Sequence, residues 1–253
     1  GYFDNPAIEI IAIIFMFIAG VNFALHFTAW QRRKIGHYLF DPEFKFYAFI
    51  LVSVSVVTVA VLYFSDVYSS LFEASIKGVF QVVSMATTTG FATADFNSWP
   101  LFLPYVLLYA AIIGACAGST GGGMKVIRIL LIFKQGFREV QRLIHPRAVI
   151  PIKLGGQRVS DRIVESVWGF FAVYVMVFMV MLLALLATGL DIVTAFSAVG
   201  ACLNNLGPGL AEVSVTYGQL SAAAKWILCF AMLLGRLEIF TLLVLFTPMF
   251  WKR

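Results

Sequence analysis

Charge is what this sequence has least of. Of its 253 residues only 12% are Asp, Glu, Lys or Arg, against 61% hydrophobic, and the mean hydropathy is +0.92. A soluble domain of this length needs far more polar surface to stay dissolved, so the scarcity excludes one and makes the bilayer the solvent. Cysteine is scarce too. Cys116, Cys202 and Cys229 are odd in number, lie in apolar stretches and share no ligand spacing, which sets aside disulfide and zinc frameworks and leaves ordinary buried thiols. His26, His37 and His145 are scattered and read as structural or interfacial. No nucleophile–base or carboxylate pair is placed for a soluble cleft, so nothing points to an enzyme or an organic cofactor. Carboxylates are few in the apolar stretches, Glu238 and the outer-lying Glu9 among them. That counts against an ion-coupled transporter with a broken-helix site.

Long apolar runs are what the sequence has instead. Crossing a hydrocarbon core of about 30 Å takes roughly 20 apolar helical residues, and five segments are long enough: 6–30, 46–64, 100–137, 163–188 and 222–250. The chain opens on Gly1, and its first apolar stretch is too long for a signal-peptide core, so the opening reads as a truncation or a gap. The net charge is +5 and unevenly spread. Arg32, Arg33, Lys34 and Lys45 form one basic cluster, a second runs from Lys125 through Arg128, Lys134, Arg138, Arg142, Arg147, Lys153 and Arg158 to Arg162, and the tail ends Lys252-Arg253. Between them Asp66, Glu73, Asp95, Asp191 and Glu212 outweigh Lys77 and Lys225. The positive-inside rule makes the basic segments cytoplasmic. Nucleic-acid binding is set aside, because the long basic block links two membrane helices and lacks interleaved surface aromatics.

Two shorter apolar segments, 71–86 and 191–203, are too brief to cross and start on the acidic side. Each is followed by a polar, glycine-containing bend, which is how a re-entrant loop reads; such backbone is tolerated at membrane depth where it lines a wet cavity or is buried in protein. The pattern recurs. Thr87-Thr88-Thr89-Gly90 corresponds to Asn204-Asn205-Leu206-Gly207 at an offset of 117, which is 207 minus 90. Gly1-Tyr2-Phe3-Asp4 also resembles the stretch from Gly90 to Asp95, so the first helix reads as the end of a further copy. The expected architecture is all-α and integral to the membrane, built from helix–pore-loop–helix repeats like those of potassium channels. Residues 1–45 are the last helix of one repeat with a linker, 46–138 a repeat whose second helix is broken, 139–162 a basic cytoplasmic linker, and 163–253 a second complete repeat.

Three places carry chemistry. A potassium ion gives up its water only to a ring of oxygens, commonly backbone carbonyls, and aiming several carbonyls at one axis calls for glycine backbone. Thr87, Thr88, Thr89, Gly90 and Phe91, with Asn204, Asn205, Leu206 and Gly207, suit such a filter, with the ion held at Thr88, Thr89, Asn205 and Leu206. The short helices would aim the negative ends of their dipoles at it. Either bend alone also reads as an outer turn, since Thr and Asn suit turns; recurrence behind a too-short helix favours the filter. The second place is Gly118-Ser119-Thr120-Gly121-Gly122-Gly123-Met124-Lys125. It is no Walker A loop, because no Ser or Thr follows the lysine and no strand precedes it. Segment 100–137 is too long for one straight span, and the glycines should break it into a non-helical loop that constricts the conduit. The third is Arg236, apolar on both sides; at that depth it needs partners, for which glycine-loop carbonyls suit better than Glu238. Asp191 is placed to cap the second short helix.

Taken in order, the bend from Thr87 to Thr93, the glycine run to Lys125, Asn204-Asn205-Leu206-Gly207-Pro208-Gly209 and Leu234-Gly235-Arg236 resemble the third and fourth repeats of the Trk/Ktr/HKT superfamily, most closely its bacterial Trk potassium-uptake membrane subunits. The resemblance spans essentially the whole chain. It implies four repeats with pseudo-fourfold symmetry around one ion path, of which two filter bends are present here. It implies a gating loop of Gly118, Ser119, Thr120, Gly121, Gly122, Gly123 and Lys125, held closed by Arg236. It further implies a homodimer in the bacterial inner membrane and a cytoplasmic ring of nucleotide-binding regulatory subunits on the basic loops near 137–162. Potassium is then the transported ion. Gly90 and Gly207 suit it, since sodium-carrying relatives replace a filter glycine with serine.

Overall fold

Polar residues placed just before apolar runs set where the helices begin. Asn5, Asn22, Asp41, Ser70, Asp191 and Ser221 each accept a backbone N–H from the first turn of the helix that follows. A computed structural model describes residues 3–34, 36–100 and 102–251; Gly1 and Tyr2 of the opening motif and the Lys252-Arg253 tail lie outside the described residues. In chain order the helices are α1 (Pro6–Ala19), α2 (Phe23–Arg32), α3 (Gly36–Phe40), α4 (Pro42–Phe64), α5 (Leu71–Ala86), α6 (Leu103–Ile113) and α7 (Val126–Ile144). A hairpin of β1 (Lys153–Leu154) and β2 (Gln157–Arg158) follows. Then come α8 (Asp161–Leu186), α9 (Ile192–Leu203), α10 (Ala222–Arg236), α11 (Ile239–Leu245) and α12 (Pro248–Trp251).

Two helices, α4 and α8, are long and apolar enough to cross a bilayer, with mean hydropathy 2.3 and 2.7 and only 22% and 28% of their most apolar windows buried. Phe49, Val52 and Val56 on α4, and Met176, Val180 and Leu183 on α8, face outward. An outward face this apolar is compatible with lipid and not with water, so the chain is a membrane protein. The other long segments are not straight. α1 and α2 meet at 94°, and α10 and α11 at 109°. Segments 6–30 and 222–250 were each expected as one helix, and the structure breaks both. Segment 100–137 is broken at residues 114–125, where the glycine run sits.

Three smaller expectations are also corrected. α4 starts at Pro42 rather than 46, because Asp41 caps it and proline suits the first helical position. The expected all-α architecture has one exception: Lys153 pairs with Arg158 across a Gly155-Gly156 turn, both glycines at positive φ. Cys116 and Cys202 are buried and free, but Cys229 is exposed on the outer face of α10.

The short helices α5 and α9 sit at the centres of two apolar clusters that also take in α1, α4, α6, α8 and α10. Residues 80–88 and 197–204 are buried on every side. A helix with no outward face belongs inside a bundle. Across this core Lys77 of α5 pairs with Glu9 of α1 at 2.7 Å and with Asp4 at 3.0 Å, binding the first short helix to the segment that precedes it.

Candidate functional site

Both short helices end the same way. Thr87 and Asn204 keep near-helical backbone (φ −84° and −96°), and Thr88 and Asn205 then turn left-handed (φ 55° and 54°). Gly90 and Gly207 follow at φ 79° and 110°. The hydrogen bonds repeat as well. Thr88 N–H donates to the Met85 carbonyl (3.0 Å) and Thr89 N–H to that of Ser84 (2.8 Å); Asn205 donates to Cys202 (3.1 Å) and Leu206 to Ala201 (2.9 Å). Every donor and acceptor in the second bend lies 117 positions after its counterpart in the first. The pattern is a helix stop with a left-handed residue after the cap, a place usually given to glycine. Holding a β-branched threonine there costs on the order of 1–3 kcal/mol, so the surroundings over-determine the bend.

The surroundings are visible. A Cβ on Gly90 would collide with the Leu206 carbonyl oxygen, so the two bends meet backbone to backbone. Gly207 has open space at that position, and its glycine answers to φ alone. Ser84 Oγ donates to the Phe91 carbonyl (2.6 Å) and Thr87 Oγ1 to that of Val83 (2.7 Å). In the second bend, Tyr174 Oη donates to Asn204 Oδ1 (3.0 Å) and Tyr217 Oη to the Gly207 carbonyl (2.7 Å). Thr88 is buried, whereas Thr89 and Phe91 are exposed. Sequence reasoning missed both tyrosines. The one available signal was a hydroxyl in the middle of α8, an otherwise apolar span.

Residues 114–125 lie directly against these bends. Gly122 N–H donates to Thr88 Oγ1 (2.5 Å), and a Cβ on Gly122 would collide with the Asn204 carbonyl oxygen. A Cβ on Gly121 would stand 2.9 Å from the Thr87 carbonyl oxygen and 2.7 Å from Ala115 Cβ. The α1/α2 break, which the sequence did not announce, grips the loop. Cys116 N–H donates to the Gly20 carbonyl (3.0 Å), Phe23 N–H to that of Gly118 (3.1 Å) and Thr120 Oγ1 to that of Ala19 (3.2 Å). Glu43, near the start of α4 and 7% exposed, accepts the Ala117 N–H at 2.6 Å. Lys125 Nζ donates to the Gly121 carbonyl. Glu43 was overlooked because it precedes the apolar run of α4 in sequence.

Arg236 is not buried in the middle of a span. α10 ends at this residue, and the side chain is exposed. Among the described residues it makes no hydrogen bond or ion pair, so the expected glycine-loop carbonyl contacts are absent. It lines a cavity of about 400 Å³ together with the loop from Gly118 to Gly123, Lys125 and Asn205. Glu238, in the break, turns instead to Arg128 of α7 (3.1 Å), whose guanidinium lies 4.0 Å over the Phe170 ring. A Cβ on Gly235 would collide with the Leu203 carbonyl oxygen, which brings α10 tight against the second bend.

Among the described residues no three His, Cys, Asp or Glu side chains come together as metal ligands. The oxygens gathered at the bends belong to carbonyls and hydroxyls, donors suited to an alkali ion that must also leave. At the far end of α1, Lys77 beside Asp4 holds that carboxyl below its ordinary value.

The profile of the TrkH family, described as a cation transport protein, matches residues 1–253. Over its whole length the chain is 55% identical to the Trk system potassium uptake protein TrkH of Halomonas elongata and 54% identical to that of Escherichia coli K12, covering 52% of each. It is 38% identical to the E. coli K12 protein TrkG, also covering 52% of it. The crystal structure of the potassium transporter TrkH from Vibrio parahaemolyticus superposes with a TM-score of 0.95 at 52% identity, covering all of this chain and 54% of that one. The chain thus spans about half the length of the relatives it matches. It belongs to the TrkH family of cation transport proteins.

Proposed function

We propose that this chain supplies two filter bends and the gating loop of a potassium-uptake pore in a bacterial inner membrane. One observation carries the reading. Two bends of identical backbone pattern, 117 positions apart, meet at Gly90 and Leu206 directly against Gly121 and Gly122. Carbonyl and hydroxyl oxygens of Thr88, Thr89, Asn205 and Leu206 hold the ion, with Thr87, Gly90, Phe91, Asn204 and Gly207 shaping the bends. The membrane potential drives entry. The loop of Gly118, Ser119, Thr120, Gly121, Gly122 and Gly123, with Lys125, constricts the path, and Arg236, loose in the cavity beside it, adds a positive charge that opposes cation passage. The protein works as a homodimer, and its regulator, a nucleotide-binding subunit, docks on the basic face near 137–162.

Flux of rubidium and potassium against sodium in proteoliposomes of the full-length protein tests this. Gly90→Ser and Gly207→Ser should each raise relative sodium permeation, and an unaltered selectivity profile in both removes the filter assignment. Ion-coupled transport is the second reading, and Glu43 favours it, as a buried carboxylate beside the loop. Uptake that persists without a membrane potential but needs a proton or sodium gradient would support that reading.

A further inference from the structure

The cytoplasmic end of α7, beside the basic face offered to the regulator, carries a cavity that conduction does not use. Lys134, Arg138 and Gln141 share one side of the helix, and the β1–β2 hairpin brings Lys153 over them, enclosing a cavity of about 360 Å³. The hairpin is held there by structure. Ile152, 4% exposed, packs with Leu131, Val164 and Val167, and Val159 N–H donates to the Ile152 carbonyl (2.9 Å). No carboxylate is among the described residues that line the cavity, although Asp161 and Glu139 flank Arg138 from outside it. Arg138 is 7% exposed; Asp161 holds its Nη1 (2.7 Å), and Glu139 stands 3.8 Å from its buried Nε, which makes no hydrogen bond.

Next to the cations runs an apolar stripe. Phe133, Phe137 and Val140, spaced by four and three residues, are 58%, 72% and 57% exposed, and Phe137 also lines the cavity. Lys134 is the first charge after the apolar run from Ile129 to Phe133, which puts it where hydrocarbon gives way to headgroups. A cationic pocket joined to an apolar stripe matches an amphiphile with an anionic head, and basic pockets at this level suit phospholipid headgroups. Free phosphate would leave the stripe without a function.

We propose that this pocket binds the phosphate of an anionic phospholipid, with Lys134, Lys153 and Arg138 on the headgroup and Phe133, Phe137 and Val140 along an acyl chain. The inference rests on the cytoplasmic placement of the basic segments given by the positive-inside rule, but not on conduction. Its test is lipid retention by the full-length protein, read by native mass spectrometry with phosphatidylglycerol and phosphatidylcholine supplied together. Phosphatidylglycerol should be retained selectively. Lys134→Gln with Lys153→Gln should weaken retention by roughly thirtyfold, the effect of removing two lysines from an anionic surface. Phe137→Ser should also weaken it, although no charge changes. Equal retention of both lipids, or a double variant that keeps phosphatidylglycerol as the parent does, overturns the site. If millimolar inorganic phosphate in lipid-free detergent raises the melting temperature as much as phosphatidylglycerol, the occupant is free phosphate and the lipid assignment fails. Rubidium flux is measured separately, so a failed pore and a failed lipid site give different results.

Discussion

Glu43 offers the sharpest test of how the glycine loop is held. Its carboxylate is 7% exposed and accepts the Ala117 N–H at 2.6 Å, one residue before the glycine run. Glu43→Ala leaves that amide without a partner. Losing a hydrogen bond to a charged acceptor costs about 1.5–3 kcal/mol, near the desolvation penalty of the orphaned group. The bond is made only while the loop lies where it does now. A loss of about 2 kcal/mol therefore shifts the balance between this position and a displaced one by roughly thirtyfold. With the displaced form in the minority, rubidium flux through full-length protein in proteoliposomes should rise ten- to thirtyfold. Glu43→Gln keeps an acceptor oxygen on the same stem, and flux should stay within about threefold of the parent. Melting temperature screens out unfolded variants. Parental flux from a folded Glu43→Ala would refute the reasoning. A Gln variant as leaky as Ala would show that the charge, and not the acceptor, holds the loop.

Tyr174→Phe removes the hydroxyl that bonds Asn204 Oδ1, a buried contact worth about 1 kcal/mol; the second bend should loosen, read as a lower potassium-over-sodium ratio with total flux retained. Arg128 and Glu238 are a half-exposed pair, so a double-mutant cycle on thermal stability should give a coupling below about 1 kcal/mol, and a larger value would mean that the pair is far drier than the cavity suggests. Because Lys77 depresses the Asp4 carboxyl, that group's contribution is complete above its unfolded value and lost as pH falls through its folded value. Asp4→Asn should therefore flatten part of the acid limb of a melting-temperature profile and change nothing near neutrality.

Much of this arrangement was legible in the residues, and for identifiable reasons. Asp191, read as the cap of the second short helix, does accept the Val193 and Thr194 N–H groups, since capping is a local interaction. The two short helices, the recurrence at 117 and the break after Ile113 were legible because each is written in a contiguous stretch: a run too short to cross, a repeated bend, four glycines in six residues. What sequence reasoning missed depends on distant partners. Glu43 meets Ala117 across 74 positions, Tyr174 meets Asn204 across 30, and neither has a neighbour in sequence that announces the contact. Arg236 was misjudged for a related reason. The apolar run after it reads as continuing helix, and the bend that leaves it at a helix end has no proline or glycine at residues 237–238 to mark it.

The breaks in α1/α2 and α10/α11 show why such bends escape a local reading. Gly20 has ordinary right-handed backbone at φ −76°, and Gly235 is not among the glycines of positive φ, so neither reads as a turn. Both are required by what approaches them. A Cβ on Gly20 would collide with Tyr47 Oη and stand 3.0 Å from Thr87 Cγ2, while one on Gly235 would collide with the Leu203 carbonyl oxygen. Gly122 behaves alike, its missing side chain leaving room for the Asn204 carbonyl. At all three points a broken helix or loop comes tight against the end of a short helix or a side chain beside it, backbone to backbone at Gly122 and Gly235. Glycine there records how closely two elements approach, a property of the pair that no single stretch of chain contains. That is why the motif richest in glycine was read as a loop, whereas Gly20 went unread and Gly235 entered only through the family resemblance, although all serve one geometry: inner elements drawn tight around the two bends.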